Sequence, residues 1–435
     1  MRRVNVSFVA RSKIKARLLA VVVILIAVAC LIEVFFRSFS VGGKLRLPVG
    51  KLTPAISLGE RHGLILASDG SLWSWGSDFL CWPVLGLGNG TNKSMILRRI
   101  GTETNWIQIS AGISHNLAVK SDGTLWTWGE SVQARQMRLT PISVPIPAAQ
   151  GNDWKQAAAG GIHSVALKQD GTLWAWGNNW AGSVGIASTN GSAVPVQVGS
   201  SSNWVRTWAC GLETVAMQSD RSLWYWGENP DAALAKKGQQ IQFPTRVSPD
   251  TNWVDVGFGE RTVLAIKADG TLWAWGQQAH VFTGSDSPFD DVTPTRVSTN
   301  SDWSCFSHSC GWWCVGLAKQ DGSLWLLDAS DAEPNGPRAP YKPLKITRLE
   351  PGREHVAFAA GAVHAAAPGV HGPIGVILTR DGEVWTWGMV LGDPPTGMSR
   401  LLVPAVKLAN SLGLRIQPPN PPPLYREKPW QLRID

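Results

Sequence analysis

Tyrosine is nearly absent from the chain: three residues stand against 24 tryptophans in 435. An imbalance of that size points to one Trp-bearing motif copied many times. Charge is also sparse, at 17% of residues, which excludes a disordered charged chain and a charged coiled coil. With only six cysteines at this length, the chain is not a disulfide-dense small scaffold. Glycine and proline are plentiful instead, at 45 and 28 residues. Both are poor helix formers, so a mostly helical protein is excluded as well.

The net charge of +8 is concentrated at one end. Residues 1–43 hold seven basic residues against Glu33, or +6 of the total, so the other 392 residues carry only +2. A body so close to neutral has no electrostatic footprint for nucleic acid. The basic residues lead into an apolar run, Leu18 to Phe36, whose one charge is Glu33. As a helix this run would be ~28 Å long, enough for a bilayer core of about 30 Å. The positive-inside rule keeps the basic end cytoplasmic and places the body outside, in the periplasm or beyond the cell. Ala27-Val28-Ala29 also fits a small-x-small cleavage pattern, with Cys30 as a degenerate lipidation site. The apolar run continues past both, which favours an uncleaved signal-anchor.

The repeats are explicit. Asp69-Gly70-Ser71-Leu72-Trp73-Ser74-Trp75-Gly76 recurs from Asp122, Asp170, Asp220, Asp269, Asp321 and Asp381. The steps are 53, 48, 50, 49, 52 and 60 residues. The fourth copy has Arg221 in place of Gly, and the sixth decays to Leu326-Leu327-Asp328. A Gly-x-x-His element precedes most copies, as Gly59 to His62, Gly112 to His115, Gly160 to His163 and Gly361 to His364. Farther upstream stand Trp106, Trp154, Trp204, Trp253 and Trp303, each after Asn or Asp. Each unit reads as short strands joined by a Gly turn and an Asp-Gly hairpin. The paired Trp side chains fall on one strand face and predict packing between units.

Seven such units resemble the regulator-of-chromosome-condensation repeat family. The resemblance implies an all-β, seven-bladed β-propeller, here carrying an N-terminal single transmembrane helix. The expected organisation is a basic tail at 1–17, the helix at 18–36, a linker at 37–49, the propeller at 50–410 and a Pro-rich tail at 411–435. Pro404 to Leu408 looks like a strand that completes the first blade, because the first repeat lacks an Asn-Trp strand. The family's Gly-Gln-Leu-Gly-like stretch survives faintly as Gly182-Ser183-Val184-Gly185. Its founding member is a nuclear nucleotide-exchange factor, a role that an outward-facing, anchored body does not fit.

No nucleophile elbow, HExxH or phosphate loop is present, so no catalytic residue, cofactor or metal is expected. The histidines are read as structural hydrogen-bonding groups within each blade. Cys305, His308, Cys310 and Cys314 are the one dense group of potential ligands. Metal binding, one disulfide and free packed thiols all remain open for it. The function expected is a membrane-anchored binding or scaffold module for a protein partner. The alternatives are an exported carbohydrate-active or other enzyme, and an exchange factor or regulator. The two residues after each repeat Gly should ring one face. Among them Trp312, Trp313, Arg61, Arg261, Glu60 and Glu260 are the expected contact residues, since Trp and Arg dominate binding hot spots.

Overall fold

The computed structural model describes residues 46–78, 82–88, 93–130, 142–228, 240–259, 262–276, 279–283, 293–307, 309, 314–328, 345–349, 354–364, 371–389 and 425–431. The apolar run at 18–36 and the strand expected at Pro404–Leu408 lie outside them. No helix among the described residues is long and apolar enough to cross a membrane.

The repeat unit folds as a four-stranded antiparallel meander. In the second repeat its strands are Trp106–Ala111, His115–Lys120, Leu125–Gly129 and Ile142–Pro147, hydrogen-bonded in chain order. The first, third, fourth and fifth repeats form sheets of the same order. The rest of the described chain forms one eight-stranded sheet, in which two such meanders meet through the single pair Val315↔Gly361. The architecture is an all-β propeller. The first strands of successive sheets face one another around a central channel. The short helix Ala279–Thr283 interrupts the fifth repeat, where Phe282 packs on Gly259.

The hairpin between second and third strands shows why the motif reads Asp-Gly-Ser/Thr-Leu-Trp. Asp122 Oδ1 accepts hydrogen bonds from the Thr124 N–H at 3.0 Å and the Thr124 hydroxyl at 2.6 Å. The Thr124 hydroxyl accepts in turn from Trp126 Nε1 at 2.9 Å. The same relay runs through Asp69, Ser71 and Trp73, and through Asp170, Thr172 and Trp174. These bonds hold the carboxyls of Asp122 and Asp170 below the usual carboxylate range. The turn residue after Asp has φ near +80°, and a Cβ at Gly123 would lie 1.9 Å from the Asn152 carbonyl oxygen. Arg221 holds this place in the fourth sheet at φ 63°, the one non-Gly residue of positive φ among those described.

The first Trp of each pair does more than pack. Trp126 meets Trp106 edge-on, with ring centroids 5.7 Å apart at 81°. Lys120 Nζ lies 3.7 and 4.6 Å from the two centroids and 2.9 Å from Glu103. Lys168, Lys267 and Lys319 repeat this arrangement with Asp153, Asp250 and Asp302. In the fourth sheet both charges are missing: Gln218 replaces the lysine and bonds Asn203 between Trp204 and Trp224.

Neighbouring sheets are joined by directional bonds. His62 Nε2 pairs with Asn116 at 2.6 Å, His115 Nε2 with Ser164 at 2.8 Å, and His163 Nε2 with Thr214 at 2.8 Å. The bonds expected within each blade therefore run between blades. Burial pushes the His62 and His115 pKa values down to about 4 and that of His163 to about 3, so the rings are neutral. The Gly of Gly-x-x-His makes room for the ring: a Cβ at Gly160 would lie 2.3 Å from His163 Cε1. His364 does not take this place in its repeat. It ends the strand Ala357–His364, and Ile374 stands opposite Gly388 where a histidine was expected. In the sixth repeat Cys314 faces Asp328 and its thiol donates to that carboxylate at 3.3 Å, a smaller residue matched to a larger one.

The first repeat does possess its first strand, Ala55–Leu58, so its sheet is complete without Pro404–Leu408. What closes the ring is Leu47. Its N–H donates to the Gly382 carbonyl at 2.8 Å, the bond that the Trp106 N–H makes to Gly70. Its side chain is buried with Ile56, Trp75 and Val384. Arg46 adds an ion pair to Asp381 at 2.8 Å. Tyr425–Gln431, assigned from sequence to a tail, pairs as the last strand of the eight-stranded sheet.

Outer strands are the exposed edges. They carry Pro145, Pro147, Pro195 and Pro244, which cannot donate to an added strand. Val144, Val194 and Phe243 lie exposed beside these prolines.

Candidate functional site

The meander sorts its connections onto two edges. Asp-Gly hairpins and the five- to seven-residue links between repeats occupy one edge. The Gly-x-x-His turns and the connections from third to fourth strands leave from the other. Those third-to-fourth connections run from 12 residues, at 130–141, to 35 residues, at 390–424. All the long, sequence-variable connections thus depart from one face.

On that face the turns after the repeat Gly lean on one another. The Ile113 N–H reaches the Gly160 carbonyl at 3.3 Å, and the Ser114 hydroxyl reaches Gly161 at 3.0 Å. The Gly161 N–H reaches Gly211 at 2.6 Å. Ser114 is buried, while Ile113, Ile162 and Leu212 are half-buried. The variety at these positions is partly a matter of contact between sheets, and the seventh pair, Ala362-Val363, lies within a strand rather than at a turn.

Of the six expected contact residues, Glu60 and Arg61 are described. Glu60 is buried and its carboxyl pKa is raised by that burial, with Arg61 opposing. Arg61 is half-buried. Glu260, Arg261, Trp312 and Trp313 lie outside the described residues, as do His308 and Cys310. Cys305 and Cys314 are free thiols, both with raised pKa through burial. No cluster of metal-ligating side chains occurs among the described residues.

Sequence reasoning passed over Trp180, which is 52% exposed on the loop after Leu173–Gly177. That loop is held in shape. Asn178 Oδ1 accepts from the Trp180 N–H at 2.9 Å, and Asn179 bonds Ile186, Ser188 and Val184. It reaches over the next sheet, where Trp226 Nε1 donates to the Ser183 carbonyl at 2.9 Å. Val84 receives Trp128 Nε1 in the same way, so Val84-Leu85-Gly86 is a second copy of the stretch seen at Gly182–Gly185. The available signal was that Trp180 belongs to neither repeated Trp position.

The channel is lined by the first strands and holds a cavity of ≈ 280 Å³. Side chains two residues after the repeated Trp stitch its wall. Gln108 clamps both backbone groups of Ala157, at 2.9 and 3.1 Å, and Gln156 clamps those of Thr207, at 2.9 and 3.2 Å. In the fourth sheet the position is Arg206, which bonds the Val254 carbonyl and Asp255.

The model of the regulator of chromosome condensation (RCC1) repeat matches residues 55–79, 106–133 and 154–181, and a second model of that repeat matches 170–217. Among solved structures, the chain is similar to Prp20p from Saccharomyces cerevisiae, described with its binding properties to Gsp1p and histones. The identity is 18% over 70% of this chain and 80% of that one, with a TM-score of 0.58. Human WBSCR16 matches at 16% identity over 83% of this chain and 93% of that one, also with a TM-score of 0.58. These likenesses show the fold, an all-β propeller, in which residues 55–79, 106–133 and 154–217 match the regulator of chromosome condensation repeat.

Proposed function

We propose that the protein is a membrane-anchored, outward-facing, seven-bladed propeller that binds a protein partner through its long-loop face. The eight-stranded sheet counts as two blades in this reading, because it contains two meanders of the repeat's order. The observation that carries the reading is the segregation of every long connection to one edge, with short, uniform turns on the other. A rigid scaffold that concentrates its variable segments on one face is built for recognition. Trp180, exposed on a hydrogen-bonded loop of that face, is the aromatic anchor such a surface needs. Proteins of the same fold bind proteins: Prp20p is described with Gsp1p and histones, and also bound to Kap60. The near-neutral body favours a protein over nucleic acid, and the basic residues before the apolar run at 18–36 favour an outward body.

The test is capture of a partner by the full chain, compared with Trp180→Ala and Arg61→Ala on the loop face and Asp122→Ala on the hairpin face. Loss confined to the loop-face variants supports the reading. Equal loss in the Asp122 variant refutes it. Protease protection in intact cells, with the body digested from outside, tests the topology separately.

A further inference from the structure

We propose that the central channel binds a small organic carboxylate, seated on Arg206. This site is distinct from the loop face and does not depend on it. The positions two residues after the repeated Trp are equivalent from sheet to sheet and stand at the channel wall. In the second and third sheets this position is Gln, spent on clamping the next strand. In the fifth it is Asp255, whose two oxygens are both taken, one by Arg206 at 2.9 Å and the other by the Phe306 N–H at 2.8 Å. Asp255 is 3% exposed and does not line the cavity. Arg206 does line it, and its side chain keeps 36% of its surface exposed. Among the described residues that line the cavity it is the one that is ionisable. The lining thus presents a cation whose counter-charge is turned into the wall.

Two hydroxyls of the lining add donors. Ser57 and Ser110 each accept an N–H from the neighbouring sheet, Ala111 and Ala159 respectively, both at 2.9 Å. An accepting hydroxyl still has its own hydrogen to give. Among the described residues no carboxylate lines the space to compete. Between these polar groups the wall is apolar, with Ile107, Val256, Phe258 and Trp208, the last stacked 4.7 Å from the Arg206 guanidinium. One cation, two hydroxyl donors and apolar walls fit an anion with an aliphatic body better than a free inorganic ion.

The test is calorimetric titration of the full chain with butyrate, with butanol as the neutral counterpart and inorganic phosphate as the anion without a body. Saturable binding of one butyrate per chain is expected, with butanol and phosphate each weaker by at least about tenfold, the range set by one charge-assisted contact. Arg206→Gln installs the residue that the second and third sheets already use and should weaken butyrate by at least about tenfold. Should that variant fail to fold, Ile107→Glu serves: Ile107 is 40% exposed, so the change is tolerated, and it sets a like charge at the site. It should weaken butyrate and leave butanol unchanged. Absence of saturable butyrate binding, phosphate binding as tightly as butyrate, or unaltered binding in a folded variant would each overturn the proposal.

Discussion

Replacing Lys267 by Met isolates what the buried ammonium contributes to one sheet. Its Nζ lies 3.7 Å from the Trp273 centroid, 4.8 Å from that of Trp253 and 3.0 Å from Asp250. The lysine side chain is 9% exposed and the aspartate 42%. An ion pair with one member so open contributes only about 0.5 kcal/mol. Two indoles around a largely desolvated cation contribute about 1–2 kcal/mol. Met keeps the apolar stem, so little packing is lost, and Asp250 simply rehydrates. Lys267→Met should therefore destabilise by about 1.5–2.5 kcal/mol, the sum of those two contributions. Asp250→Asn should cost about 0.5 kcal/mol, the ion pair alone. Urea denaturation at low salt and at 1 M salt separates the two effects. Salt should erase the Asp250 effect and leave most of the Lys267 effect, because screening acts on the exposed pair and not on the ring contacts. A Lys267→Met loss that also vanishes in salt, or a neutral substitution, would refute the cation–ring reasoning. The fourth sheet is a natural control, since Gln218 and Asn203 already form the uncharged version.

Three further outcomes are expected. Arg221→Gly should raise stability by up to about 1 kcal/mol, because Arg221 sits at φ 63° where its sister residues are Gly; a lower denaturation midpoint would show that the Arg side chain makes up the difference. The neutral histidines His62, His115 and His163 have folded pKa values below that of the unfolded chain. Stability is then complete above about pH 6.5 and falls as pH drops toward 4, by about 1.4 kcal/mol per pH unit per histidine; a flat denaturation midpoint between pH 7 and pH 5 would contradict it. Gly160→Ala must push a methyl into the His163 ring, with a cost of about 1–3 kcal/mol and loss of protection from exchange at the His163 ring N–H; an unchanged melting curve would mean that the ring can move.

Much of this architecture is visible in the repeat itself. Asp-Gly-x-Leu-Trp-x-Trp-Gly carries its hairpin, its strand and its end-stop in eight letters, and each maps onto a hydrogen bond or a positive φ. What was not legible came from partners distant in the chain. Leu47 closes the ring with no motif to mark it, because a backbone N–H and an apolar side chain suffice for that role. The lysine two residues before Asp122, Asp170, Asp269 and Asp321 looks like a routine solvent-facing residue until two indoles from different strands enclose it. His364 has the right spacing from a Gly but sits on a longer hairpin, so local pattern pointed to it while strand register chose Ile374. On the candidate face, the repeat pattern singled out Glu60 and Arg61 by position, whereas Trp180 had no repeat context to single it out. Arg206 was hidden because its meaning depends on what the equivalent residue does in three other sheets.

The histidine contacts have a direction: the second and third sheets each offer an imidazole on one flank and receive one on the other. These three joints are therefore head-to-tail, the same relation that links subunits in a cyclic oligomer, here folded into a single chain. Closure is what prevents such joints from adding further units. A fragment cut from the ring, ending for instance after Gln197, would leave His163 without the Thr214 hydroxyl that it meets in the whole chain. The first sheet has only Gly63 at the place where the next three sheets receive an imidazole, so the histidine joint cannot be remade between two copies of such a fragment.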